Sequence, residues 1–315
     1  MIKADLVTGF LGAGKTTFLK KYAEYFLSRN VRTGLLINDH GAVNVDVMLL
    51  AELEKMGCIL ESVAGACDRD CHMRRFKTKL IALAMCGCQR VIIEPSGLFD
   101  TDEFFDSLRE DPLDRMYEPG SVLTVADAAL SLGDDLSELS EYMLGSQCAH
   151  AGRIILSKTQ LYPAQTAENT VSLIRCALSS IGAGNEIDDI IVSKSWDSFT
   201  DDDMKDFAEC GCRKNSFVKK FRDTRGFSSL YFMNTGISPD EAEKTAKQLL
   251  ENMDAGRIFR VKGFARQDNK WFELNAAKGA VSLTPADNGQ EIIIVIGEDL
   301  NKEKIQSFFG GVVNA

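Results

Sequence analysis

The sequence predicts an α/β protein: a three-layer domain with a mostly parallel sheet over residues 1–200, a linker over 201–225, and a small α+β domain over 226–315. Three observations carry this. Apolar runs of strand length alternate with longer amphipathic stretches, a glycine-rich turn joins the first run to the first stretch, and the order of patterns changes after residue 225.

In chain order, Met1 to Val7 reads as a strand, and further buried strands follow at Leu35-Leu36-Ile37, Val91-Ile92-Ile93, Val122-Leu123-Thr124-Val125, Ile154-Ile155-Leu156 and Ile190-Ile191-Val192. Helical patterns at Thr16–Ser28, Arg74–Met85 and Ala164–Ser179 fill several of the gaps. The charged passage containing Asp201-Asp202-Asp203 carries few strand signals and reads as the linker. Beyond it come a strand at Ser229–Met233, a helix opening at Ser238-Pro239-Asp240-Glu241, strands near Ile258–Phe264, Trp271–Leu274 and Ile292–Ile296, and a final helix after Asn301. That order suits helices on one face of a largely antiparallel sheet.

With 315 residues the chain is long enough for a large core, and 45% hydrophobic with 26% charged residues is an ordinary globular balance. The net charge of −10 disfavours nonspecific nucleic-acid binding. No apolar run reaches the length of a spanning helix, so no membrane insertion is expected. Nine cysteines, an odd and sparse set, suit a reducing compartment. With no signal peptide before the first strand, the cytoplasm is the expected location.

Gly9-Phe10-Leu11-Gly12-Ala13-Gly14-Lys15-Thr16 satisfies G-x-x-x-x-G-K-[ST] between a strand and a helix. Backbone N–H groups of Gly9, Gly12, Ala13 and Gly14, together with Lys15, Thr16 and Thr17, would cradle phosphates, with the Thr16 hydroxyl on Mg²⁺. A second part of such a site is a carboxylate ending a buried strand, supplied by Glu94. Gly97 would offer its N–H to a γ-phosphate.

These segments resemble the CobW-type P-loop GTPases and metallochaperones, relatives of the nickel-insertion GTPases of hydrogenase and urease. Gly9 to Thr17 is similar to that family's phosphate loop. Ile37-Asn38-Asp39-His40-Gly41 resembles its Asn-Glu-Phe-Gly segment, Asp46 falls where the family has an Asp, and Glu94-Pro95-Ser96-Gly97-Leu98 resembles its Glu-x-[Ser/Thr]-Gly-Leu. Arg260-Val261-Lys262-Gly263-Phe264 and Ile294-Val295-Ile296-Gly297 are similar to its C-terminal domain. The resemblance implies a P-loop domain that hydrolyses GTP, or ATP, slowly. Lys15, Asp39 and Glu94 would be its catalytic groups, and Thr16, Asp39 and Glu94 would hold Mg²⁺. It also implies assistance in delivering a metal or metallocofactor, such as a cobalamin-related one, to a client metalloenzyme or cofactor-dependent protein.

Two departures matter. The family's guanine-reading Asn-Lys-x-Asp is Ser157-Lys158-Thr159-Gln160 here, and neutral Gln160 cannot accept two guanine hydrogens as a carboxylate does. Lys158 could still cover a purine face, and GTP and ATP both remain open. The family's Gly-Cys-x-Cys-Cys is Gly65-Ala66-Cys67-Asp68-Arg69-Asp70-Cys71-His72, so its three cysteine positions hold other residues. Instead, Cys67 and Cys71 stand four apart, on one face if a helix begins near Cys67 or Asp68. They could take a soft metal with Cys58 and His72 as further ligands. Alternatively, two pairs across a homodimer axis could hold Zn²⁺, another transition metal or an iron–sulfur cluster. A cluster would instead suit an ATP-dependent reductive activator, and a third reading is a nucleotide-binding scaffold without metal. Cys86-Gly87-Cys88 and Cys210-Gly211-Cys212 are weaker motifs, Cys148 and Cys176 read as packing residues, and Arg69, Arg74, Arg75, Lys77 and Lys79 form a basic cluster.

Overall fold

A computed structural model of the chain describes residues 1–38, 50–63, 69–95, 101–132, 136–217, 227–277, 280–287, 289–309 and 312–314. It divides into two compact units, Met1–Arg222 and Asp223–Ala315.

The first unit is built on seven parallel strands: β1 (Ile2–Thr8), β2 (Thr33–Asn38), β3 (Ile59–Val63), β4 (Arg90–Glu94), β5 (Tyr117–Asp127), β6 (Arg153–Ser157) and β7 (Ile191–Val192). Their order across the sheet is β3-β2-β4-β1-β5-β6-β7. Alternate residues of each strand enter different cores, as a pleated strand requires. Leu35, Ile37 and Ile92 pack with Phe18, Leu19 and Tyr22 of helix α1 (Lys15–Leu27), while Leu36, Val91 and Ile93 pack with Phe76, Leu80 and Leu83 of helix α2 (Arg69–Met85). Helices on both faces explain why these strands are apolar throughout.

Part of the passage read as a linker is instead helix α3, Asp201–Glu209, in the first unit. Thr200 caps it in a reciprocal box with Asp203, and the three aspartates occupy the first turn, where the helix dipole favours negative charge. Met204, Phe207 and Ala208, spaced three and four apart, join the α1 core.

A buried ion pair lies at the start of the sheet. Asp5, fully buried where the β1–β5 register shifts, accepts bonds from Arg90 Nε at 2.5 Å and Nη2 at 3.0 Å, from Ser121 N at 2.8 Å and from Tyr22 Oη at 2.8 Å. Arg90 Nη2 also donates to Ala208 O at 2.6 Å, tying α3 to the strands. A Cβ on Gly120 would stand 2.1 Å from Asp5 Oδ1, so only glycine admits the carboxylate there.

The second unit has strands β8 (Phe227–Met233), β9 (Arg257–Gln267), β10 (Lys270–Ala277), β11 (Ala280–Ala286), β12 (Ile292–Glu298) and β13 (Val312–Asn314). They form an antiparallel sheet in the order β11-β10-β9-β12-β8-β13. Asp268 and Asn269, both with positive φ, make the tight turn of the β9–β10 hairpin. Helix α4 (Pro239–Glu251) lays Ala242, Ala246 and Leu249 against Leu230, Phe232, Ile293 and Val295. The closing helix is short, Lys302–Gln306.

Candidate nucleotide-binding site

The strand order runs outward in both directions from β1, so the C-terminal ends of β4, β1, β5 and β6 lie side by side at the edge where open α/β sheets usually bind their ligands. The glycine-rich loop leaves β1 there. At Gly9, with φ +141°, a Cβ would stand 2.0 Å from Val125 O, which no side chain could tolerate. Gly14, with φ +93°, is the N-cap of α1 and turns the loop into the helix.

Lys15 is buried, and its Nζ donates to Gly9 O at 2.9 Å and Phe10 O at 3.2 Å. The ammonium is thereby held over the loop that also directs backbone N–H groups at the start of α1, a local positive field in an acidic chain. Thr16 Oγ1 donates to Glu94 Oε1 at 3.0 Å. Glu94 ends β4 and is 5% exposed. Thr17 faces solvent and Ala13 is buried. Asp39 and Gly97 lie outside the described residues, so Thr16 and Glu94 are the members of the expected magnesium set whose positions are described.

At the β6 end, Ser157 has a buried hydroxyl with no hydrogen-bond partner among the described residues. Lys158 follows in left-handed backbone, φ +58°, and its Nζ donates to Asp127 Oδ2 at 2.5 Å and Gly12 O at 3.4 Å. Its stem thus reaches from the end of β6 to the phosphate loop, a wall on which a purine could lie. Gln160 sits exposed in a single turn, Thr159–Leu161. Asp127 was missed in the sequence, although a carboxylate closing an apolar strand is the same signal that marked Glu94. Trp196, also missed, touches this end of the site.

The soft-metal set is described only in part. Cys67 lies outside the described residues. Cys71 is half-buried on α2 and lines a cleft of about 520 Å³ with Ser62, Val63, Arg74, Arg75, Thr78 and Lys79. Cys58 immediately precedes β3, whereas Ser62 and Val63, which line the cleft with Cys71, end that strand. The Cys58 Sγ donates to Thr33 O at 3.3 Å, and burial pushes its thiol up to about 12. His72, one residue along α2, is 5% exposed where Cys71 is half-buried, so the two do not share a face. Among the described residues no group of three or more His, Cys, Asp or Glu side chains could hold a metal ion.

The other cysteines divide by exposure. Cys86 is exposed and Cys88 buried, and Cys212 is exposed beside half-buried Cys210. Cys148 is buried, its thiol pushed up to about 12 by desolvation, whereas Cys176 is exposed and not a packing residue. In the basic cluster Lys77 pairs with Glu110, and Lys79 pairs with Glu61 at 2.6 Å. Among the described residues no helix is long and apolar enough to cross a membrane.

Residues 3–180 match the family described as CobW/HypB/UreG, nucleotide-binding domain, and residues 238–313 match the cobalamin synthesis protein cobW C-terminal domain. The zinc chaperone YeiR of Escherichia coli (strain K12) is 29% identical over 160 residues, covering 50% of this chain and 47% of that protein. The zinc chaperone YjiA of the same organism is 26% identical over 165 residues, covering 51% and 50%. The chain spans about half the length of the curated relatives it matches. Among solved structures, Zn(II)-bound YjiA GTPase from E. coli aligns over 98% of both chains with 19% identity and a TM-score of 0.39. HypB from Helicobacter pylori in complex with nickel aligns over 66% of this chain and 84% of that one, with 16% identity and a TM-score of 0.41.

Proposed function

The chain belongs to the CobW/HypB/UreG family, and from that premise we propose that it is a slow P-loop nucleoside triphosphatase whose cycle drives delivery of a metal ion or metallocofactor to a client protein. The observation that carries this reading is the meeting of Lys15, Thr16 and Glu94 at the ends of β1 and β4. Phosphoryl transfer needs little covalent chemistry from a protein, and its catalysis is mostly positioning and charge stabilisation. Lys15 supplies fixed positive charge, the loop supplies aimed N–H groups, and Glu94 stands where it can orient water. The Thr16 hydroxyl and the Glu94 carboxylate are hard oxygen donors that fit Mg²⁺, which when bound would neutralise charge on the β- and γ-phosphates. Asp39 is proposed as the third acidic or water-orienting group and Gly97 as the γ-phosphate sensor.

GTP is favoured by family membership. ATP is the second reading, supported by Gln160, which brings no negative charge to the base. The cargo proposed is a soft metal ion, zinc above all, because both curated relatives are named zinc chaperones. Cys67 and Cys71 would take it, with two copies of the chain completing a four-thiolate set. A cobalamin-related cofactor is the alternative cargo, and the client a metalloenzyme or cofactor-dependent protein. The free cysteines suit work in a reducing compartment such as the cytoplasm.

The test is anaerobic equilibrium dialysis with Zn²⁺ in the presence of a non-hydrolysable GTP analogue or GDP, with light scattering in parallel. Zinc affinity is expected to differ between the two nucleotides, and Cys67→Ser with Cys71→Ser is expected to remove both zinc and zinc-driven dimer. The same zinc stoichiometry in the double variant would overturn the assignment of cargo to these thiols.

A further inference from the structure

β7 is two residues long, and its pairing with β6 ends with Val192 opposite Ile155. One residue further along β6, the indole N–H of Trp196 donates to Leu156 O at 3.0 Å. The rim of the same indole faces the phosphate loop, since a Cβ on Gly14 would lie 3.2 Å from Trp196 and 3.8 Å from Ser157. The ring is set from behind by Phe18 of α1, edge-on with centroids 5.7 Å apart, and by Phe199, stacked at 6.5 Å. Gly14 immediately precedes Lys15, and Leu156 immediately precedes Ser157 and Lys158. One side chain therefore fixes the phosphate cradle against the loop that would hold the nucleoside, where the buried Ser157 hydroxyl has no hydrogen-bond partner among the described residues.

We propose that Trp196 is a positioning residue that sets the spacing between the phosphate and nucleoside halves of the site and so governs nucleoside recognition. This rests on the reading of the loop as a nucleotide site. Two half-sites held at a fixed distance bind a bridging ligand far better than two that drift, whereas a ligand occupying one half is indifferent to the spacing.

Inorganic tripolyphosphate fills the phosphate half alone and GTP fills both. Trp196→Ala is expected to weaken GTP binding by roughly tenfold or more while tripolyphosphate affinity and turnover at saturating GTP stay within about twofold. Trp196→Phe, which keeps a ring but loses the N–H, is expected to lie between. Equal weakening of both probes, or of neither, would overturn the proposal. A measurement on the intact site guards against misfolding of these variants. The sequence has two tryptophans, so Trp271→Phe in the second unit leaves Trp196 as the sole emitter. GTP is expected to shift its emission and tripolyphosphate is not; equal responses, or none, contradict the proposal. Binding of both probes by the unmodified chain and its loss in Lys15→Ala test the nucleotide site itself, and only the difference between probes tests Trp196.

Discussion

The Thr16 hydroxyl donates to Oε1 of Glu94 across 3.0 Å, joining two residues 78 positions apart. The hydroxyl comes from the first turn of α1 and the carboxylate from the last residue of β4, so the contact exists because β1 and β4 are neighbours, with Leu6 opposite Ile93.

If this pair holds Mg²⁺ and orients water, Glu94→Gln should lower Mg²⁺-dependent hydrolysis by about 10²-fold, comparable to losing one preorganised group aimed at a transition state. The amide is isosteric, so the hydrogen bond to Thr16 and the fold should survive. Single-turnover phosphate release together with nucleotide binding measured without Mg²⁺ checks this: the first should fall and the second should stay.

At the other end of the site, Gln160 is exposed and neutral where a guanine-reading carboxylate is expected. Competition binding should therefore show GTP preferred over ATP by less than about tenfold. Combining Ser157→Asn with Gln160→Asp should raise that ratio by about tenfold or more, since a hydrogen bond to a charged acceptor contributes roughly 1.5–3 kcal/mol. A preference above about 10² in the unmodified protein would show that guanine is read elsewhere.

The Asp5–Arg90 pair tests the frame. Burial pushes the Asp5 carboxyl up and Arg90 offsets it, so Arg90→Ala should leave a buried carboxylate uncompensated and cost about 3–5 kcal/mol of stability. With its folded-state value raised above the unfolded one, Asp5 is accommodated best when protonated. The penalty should therefore be full at neutral pH and shrink, relative to the parent, as pH falls toward the unfolded value near 4. Urea titrations of both proteins from pH 7 to pH 4.5 measure it.

How far the sequence could be read follows from which residues announce themselves locally. The phosphate loop and the apolar strands β2, β4, β5 and β6 are continuous signals. β3 was not legible, because Ile59-Leu60-Glu61-Ser62-Val63 is a half-exposed edge strand interrupted by polar residues. β11 hides in the same way behind Ser282 and Pro285 at one edge of the second sheet. Helix α3 carried a readable cap, Thr200 to Asp203, but its acidic first turn read as a solvated linker. In the site, Thr16 and Glu94 could each be picked from motifs, whereas Asp127 and Trp196 are marked only by their contacts with Lys158 and with Leu156 O, far apart in sequence. The Asp5–Arg90 pair was equally silent, since nothing local marks a charge inside an apolar strand as paired.

Lys15→Ala is the most direct test of the nucleotide-hydrolysing reading, because no other side chain of the Gly9–Thr16 loop brings a fixed positive charge. Phosphate release from GTP and from ATP should be measured with Mg²⁺ at matched concentrations of parent and variant, with circular dichroism confirming the fold. Slow Mg²⁺-dependent release is expected from the parent and none above background from the variant; an unchanged rate in the folded variant would contradict catalysis at this loop.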